Sequence, residues 1–329
     1  MAIGDPILAT LLALAAIFAF LNGFHDSANI VSAVISSRSM RPRAALILAA
    51  TSVFFGPFLF GVAVARTVGA DLLDPGALQP NAVIAALIAA ILWNLVTWYL
   101  GMPSSSSHAL LGGLLGAALV LAGPGMIRLT GLLTIAIALV ISPVLGLIAG
   151  FLLLRLFVFL LRNASPQANR YLRRAQVLTL IGLGLSHGSN DGQKTIAVMT
   201  LGLVTTGAIS QFEVPTWVII LSSAAMALGM SIGGWRLIRT LGGRLYRIRP
   251  IHGITSQLAG AGVILGAALL GGPVSTTQVL SASISGAGAG QRVNQVRWIV
   301  LWEMLWAWLL TIPICGTIAA LISLGLSIL

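Results

Sequence analysis

Residues 82–122, AVIAALIAAILWNLVTWYLGMPSSSSHALLGGLLGAALVLA, decide how this chain folds. The stretch is long and apolar, yet Gly101-Met102-Pro103 followed by Ser104, Ser105, Ser106, Ser107 and His108 interrupts it. Proline removes a backbone donor and ends a helix, and serine just after it caps a new one. The stretch therefore predicts a hairpin that dips to mid-membrane and returns to the side it came from. The same device recurs over 254–288, where Gly271-Gly272-Pro273-Val274-Ser275-Thr276-Thr277-Gln278 breaks a second apolar run.

Around these hairpins lie apolar runs at 7–36, 44–64, 132–161, 216–235 and 298–329. A hydrocarbon core of about 30 Å needs about 20 apolar residues per helix, and these runs meet or approach that length. Of 329 residues, 58% are hydrophobic and 8% charged, and mean hydropathy is +1.02. A soluble protein cannot hide so much apolar surface. Gly-peppered aliphatic runs, rather than alternating short segments, exclude an outer-membrane barrel. The fold class is an all-α polytopic membrane protein of the cell (inner) membrane. The run Ile7 to Leu21 lacks a basic leader and a small-residue cleavage pattern, and reads as a retained helix. The single cysteine, Cys315, gives neither a disulfide framework nor a cysteine metal site.

The net charge of +11 comes from arginines between the runs and implies no nucleic acid. Arg38, Arg41 and Arg43, then the clusters at 155–174 and 236–249, then Arg292 and Arg297 mark cytoplasmic loops. Asp5, Asp71, Asp74 and Glu213 mark the opposite side, which places both termini outside. Two halves then share one order: a crossing with a polar break, a plain crossing, an interrupted hairpin and a long crossing. The first half spans 1–161, a cytoplasmic linker 162–174, and the second half 175–329 with inverted topology. Inverted repeats bring substrate and coupling ions together near the midplane at discontinuous helices.

Gly23-Phe24-His25-Asp26-Ser27-Ala28-Asn29 aligns with Gly188-Ser189-Asn190-Asp191-Gly192-Gln193-Lys194. A carboxylate at bilayer depth costs at least about 2.5–3.5 kcal/mol, so Asp26 and Asp191 need compensation. Lys194, the only lysine, stands three residues from Asp191 and can pair with it on one helix face. Asp26 has no such neighbour in sequence, which points to a bound cation or a proton. Each Pro-Ser/Thr segment presents a helix N-terminus whose N–H groups and hydroxyls can cradle an anion. Together these features predict cation-coupled transport of a small oxyanion. A passive anion channel is a poorer fit, since buried carboxylates repel the permeant ion. An intramembrane hydrolase using Ser105 or Ser107 with His108 or His187 is also poorer, because its nucleophile would be duplicated to no purpose. Glu303 is expected to pair with Arg297 or to join the ion pathway.

At Gly23 to Asn29, Gly188 to Lys194 and both Pro-Ser/Thr segments, the chain resembles the inorganic phosphate transporter (PiT) family. That resemblance implies a phosphate symporter working by alternating access, with sulfate carriage as the alternative, and no enzymatic activity. It implies that Asp26, Asn29, Asn190 and Asp191 serve phosphate and cation binding. The two acids would be the sodium ligands if sodium is the coupling ion. It further implies that Ser105, Ser106, Ser107, Ser275, Thr276 and Thr277 cradle phosphate. His25, where the family carries asparagine, and Lys194 are expected to modulate the site, and an imidazole there can favour a proton. Sodium ions or protons are the expected co-transported ions, with no tightly bound cofactor. Inorganic phosphate or sulfate, membrane lipid and, in a homodimer, a second copy are the expected partners.

Overall fold

The structure, a computed structural model, describes residues 5–74 and 78–328. The two chain ends, for which the charge pattern predicts an outward placement, reach into residues outside the described part. The described residues are helical, with one isolated β-bridge joining Leu73 and Ile127.

The first half of the chain supplies α1 (Pro6–Ser36), α2 (Pro42–Phe60), a short α3 (Ala63–Arg66), α4 (Pro80–Leu100), α5 (Ser106–Leu121) and α6 (Leu129–Leu160). The second supplies α7 (Ala168–His187), α8 (Gln193–Thr205), α9 (Thr216–Ile232), α10 (Trp235–Gly243), α11 (Pro250–Leu269), α12 (Thr276–Gln291) and α13 (Trp298–Ile328). Among the described residues six helices are long and apolar enough to cross a membrane, or seven if the pair α9 and α10, bent by 68°, counts as one span. At 31 residues α1 is about 46 Å long, ample for a tilted crossing. Its start is fixed by Pro6 at the first turn and by the Asp5 carboxylate, which accepts from the Ile7 N–H at 3.0 Å. Outward faces of α6 and α13 are bare and aliphatic, with Val140 69% and Ile299 64% exposed. That exposure suits lipid and would not suit water.

Both expected interruptions form at the prolines. α4 ends on Gly101, whose φ of 68° is left-handed, and α5 restarts at Ser106. Its cap is the Ser105 hydroxyl, which accepts from the His108 N–H at 3.2 Å. α11 likewise ends before Gly271, φ 72°, and α12 restarts at Thr276. The expected polar breaks at the two aligned Asp motifs behave differently. α1 runs unbroken through Gly23 to Asn29, whereas α7 and α8 are joined by a π-turn over Gly188–Gly192. An i to i+5 turn widens the helix and is often found at functional sites.

The helices pair reciprocally across the halves. α1 packs on α9 while α2 packs on α7 and the π-turn; α6 packs on α12 while α13 packs on α5. The aligned glycines explain the closeness of the first two pairings. A Cβ on Gly23 would lie 1.9 Å from the Met226 carbonyl oxygen, and one on Gly188 would lie 2.1 Å from that of Val53. Only glycine lets these backbones touch, and the touch sets the depth of Asp26 and Asp191. The two halves are thus interlocked, each seating its last helix on the other's hairpin.

Candidate functional site

The tips of the two hairpins meet in the protein interior. The Ser275 hydroxyl donates to Ser105 Oγ at 2.8 Å, across 170 residues of chain. Beneath this contact lie Asp26 on α1 and Asp191 in the π-turn, both 0% exposed. The hydroxyls of the two Ser/Thr runs are aimed at these acids and their neighbours. Thr276 donates to Asp191 Oδ2 at 2.5 Å and Thr277 to Asp26 Oδ1 at 3.2 Å. The hairpin tip of the second half therefore holds the acids of both halves.

Asn29 and Lys194 occupy aligned positions and do aligned work. The Asn29 amide donates to Asp26 Oδ1 and to Thr277 Oγ1, each at 2.9 Å. The Lys194 ammonium donates to the carboxylate of Asp191, to Ser107 Oγ at 2.6 Å and to the Val274 carbonyl at 2.5 Å. The intrahelical pair expected of Asp191 and Lys194 is present. In both halves the residue three past the acid also reaches the opposite hairpin's hydroxyl four residues after its proline, Thr277 for Asn29 and Ser107 for Lys194.

The acids themselves differ in how far they are satisfied. Asp191 has hydrogen bonds on both oxygens, from Lys194 and Thr276. Asp26 has both its bonds on Oδ1, and its Oδ2 has no hydrogen-bond partner. An ionised buried carboxylate with one bare oxygen is costly and calls for a cation or proton.

His187, named from sequence only as a base for the hydrolase alternative, belongs to the site. Its Nε2 stands 3.8 Å from Asp26 Oδ2 and 3.7 Å from Asp191 Oδ2, between the two carboxylates. Neither ring nitrogen has a hydrogen-bond partner, and the side chain is fully buried. Ligand atoms of Asp26, His187 and Asp191 lie within 4.8 Å of one another, a spacing at which one small cation can be shared. The signal was there to find, since His187 precedes Asp191 by four residues and so shares its helix face. Asn22 was missed for the same reason. It lies four residues before Asp26, and its Oδ1 accepts from the Ser106 hydroxyl at 2.7 Å.

The remaining expected residues brace the hairpins. The Asn190 amide donates to the Gly272 carbonyl at 3.0 Å. His25 Nδ1 is 3.8 Å from Asp26 Oδ1, and its Nε2 is 3.4 Å from Thr97 Oγ1, which accepts from Ser104 at 2.8 Å. Asp26 thus has two imidazole neighbours in space, contrary to the isolation read from its sequence. His108 faces away from the serines, its Nδ1 3.2 Å from the Trp308 carbonyl, and Ser107 accepts from Lys194. No nucleophile and base stand together there, which removes the geometry a serine hydrolase needs. Glu303 makes no ion pair with Arg297 among the described residues and borders a groove with Met102, Pro103 and Arg244. Every residue of the two tips from Ser104 to His108 and from Val274 to Gln278 is at most 6% exposed, so the site is closed off from solvent.

Comparison with known proteins identifies the family and the fold. Residues 22–319 match the phosphate transporter family. Two relatives named probable low-affinity inorganic phosphate transporters are similar over nearly their whole length. The Bacillus subtilis protein is 42% identical over 92% of each chain, and the Rhizobium meliloti protein 41% identical over 96% of this chain and 95% of its own. A solved structure titled "The sodium-dependent phosphate transporter" superposes with a TM-score of 0.89 at 24% identity, covering 99% of this chain and all of that one, and so shares the fold. The chain is a multi-pass membrane protein and a transporter rather than an enzyme, and it belongs to the phosphate transporter family.

Proposed function

We propose that the chain carries inorganic phosphate across the cell membrane together with a cation, sodium or proton, by alternating access between two inverted repeats, 1–161 and 175–329, joined by a cytoplasmic linker at 162–174. The observation that carries this reading is the bare Oδ2 of fully buried Asp26 directly below the meeting point of two hydroxyl-rich hairpin tips. A cation at Asp26 and His187 neutralises the acid and so removes the negative field that would repel an anion. The anion cannot settle beside a bare buried carboxylate until the cation has neutralised it, and that need is the coupling.

Phosphate is held in this reading by Ser105, Ser106, Ser107, Ser275, Thr276 and Thr277, with the amides of Asn29 and Asn190 at the edges and the N-termini of α5 and α12 adding backbone donors. The carboxylates Asp26 and Asp191 form the cation-binding floor. Hydrogen phosphate can donate its own proton to a carboxylate oxygen, which sulfate at neutral pH cannot do, so a bare acceptor favours phosphate. The solved structure sharing this fold is named sodium-dependent, which supports sodium; His25 and His187 beside Asp26 support a proton.

The test is uptake of labelled phosphate by proteoliposomes under imposed sodium or proton gradients, with sulfate as competitor. Uptake should follow one of the gradients and be blocked weakly by sulfate. Uptake indifferent to both gradients would remove the symport reading, and equal inhibition by sulfate would remove the phosphate preference.

A further inference from the structure

Asn29 and Lys194 stand at the same place in the two aligned motifs, three residues after Asp26 and Asp191. Each is hydrogen-bonded to its own acid, and each reaches the hydroxyl four residues after the opposite hairpin's proline, Thr277 for Asn29 and Ser107 for Lys194. The frame is shared and the charge is not. Asn29 is neutral and leaves Asp26 one positive charge short. Lys194 brings that charge on its own side chain and, at 2% exposure, sits wholly inside.

We propose that the Lys194 ammonium is a resident cation: it fills, at Asp191, the position that a mobile coupling cation fills at Asp26, so the transporter moves one cation fewer than its two buried acids would otherwise require. The inference deepens the symport reading above and rests on it. Three contacts define the resident position. The ammonium has an acceptor on the acid, one on the Ser107 hydroxyl and one on the Val274 carbonyl, a set of oxygen ligands of the kind a bare alkali cation takes. All three ammonium protons are matched by three acceptors, so no donor is left over for the substrate. Asp191 in turn has no bare oxygen, in contrast to Asp26. The tether keeps this charge in the protein through every cycle, so Asp191 stays neutralised even when the mobile cation has left.

The experiment reads stoichiometry. Proteoliposomes holding the wild type or Lys194→Asn, which copies the residue of the first half, are brought to equilibrium under graded gradients of the coupling ion. The logarithm of phosphate accumulation is plotted against the logarithm of the ion gradient. Lys194→Asn is expected to steepen the slope by about one cation per phosphate, because the vacated oxygens leave a second acid to be neutralised. An unchanged slope overturns the proposal, as does an unchanged slope with weakened phosphate affinity, which would make Lys194 a phosphate ligand. A wild type whose accumulation follows no ion gradient overturns the symport reading instead, so the two failures are distinct.

Melting of purified protein over a cation titration gives a second readout should Lys194→Asn fail to transport. The variant is expected to gain a steeper cation dependence than the wild type, and equal dependence overturns the proposal. If it does not fold, Lys194→Cys is compared before and after alkylation with 2-bromoethylamine, which rebuilds a side chain ending in an ammonium. Alkylation must abolish the added cation dependence, and its persistence overturns the proposal.

Discussion

The two halves hold the same acid in the same frame and complete it differently. In the first, Asp26 is met by an amide and a hydroxyl on one oxygen, with the other oxygen bare. In the second, Asp191 is met by an ammonium and a hydroxyl, one on each oxygen. Near-equivalent backbone therefore does not imply equivalent chemistry. One acid is closed by the protein itself, and the other is left open for something that comes and goes.

The largest effect that can break this comparison is on stability. Asp191→Asn strands a buried ammonium, and breaking a buried pair by removing one partner costs about 3–5 kcal/mol. Asp26→Asn removes a carboxylate that the protein does not fully satisfy, so stability should change by no more than about 1 kcal/mol while gradient-driven uptake disappears. Thermal melting of both variants beside phosphate uptake checks the pair. Equal loss of stability in the two would mean that Asp26 is as fully partnered as Asp191. Asp191→Asn combined with Lys194→Asn should recover most of the lost stability.

The second effect should be equal in the halves. Gly23→Ala and Gly188→Ala each drive a methyl group into a backbone carbonyl, at Met226 and Val53. Overpacking of this kind costs about 1–3 kcal/mol. Similar losses of melting temperature are expected, since backbone cannot rotate away as a side chain can. A tolerated Gly188→Ala would show that the π-turn gives where continuous α1 does not.

Much of this was legible because membrane sequence is a sparse background. A lone lysine, two acids and two Pro-Ser/Thr runs stand out among aliphatic residues, and prolines dictated both hairpins as found. Pairing between the halves was not legible. Spacing along the chain places Asn29 three residues from Asp26 but carries no information on Thr277, which is 248 residues away. His187 escaped for a related reason. Its sequence neighbours offer it only as a base for a serine until α1 delivers Asp26 to its other side. The unbroken course of α1 was also hidden, because Gly23 reads equally as a break and as a contact point, and only the neighbouring α9 decides between them.

A smaller pair of effects separates the bridging hydroxyls. Thr277→Val removes a donor to Asp26 and an acceptor for Asn29 at once. Ser107→Ala removes one of three acceptors of Lys194 and leaves Asp191 and Val274 in place. With each net hydrogen bond worth about 0.5–1.5 kcal/mol, the Thr277 change should be the more destabilising. Both should raise the phosphate concentration for half-maximal uptake, and a larger loss at Ser107 would reverse the assignment of the weaker half.

The smallest expected effect concerns the shafts of the hairpins rather than their tips. Ser281 and Ser285 lie one and two turns below Gln278 on α12, are buried, and have hydroxyls without a protein hydrogen-bond partner. Their counterparts on α5 are Leu111 and Leu115. A serine hydroxyl in a helix that bonds nothing gains little, and a buried unsatisfied hydroxyl costs about 1–3 kcal/mol against an apolar group of the same shape. Ser281→Ala and Ser285→Ala should therefore leave melting unchanged or raise it slightly, while Leu111→Ser should lower it by loss of apolar burial on the other shaft. Destabilisation by either alanine would show that the hydroxyls are bonded in the folded protein, and the polar character of α12 would then be a structural brace. Equal stability with slower uptake would instead place these hydroxyls on the side of the bundle through which the substrate passes, and the two hairpins would differ along their whole length as their acids differ at the tips.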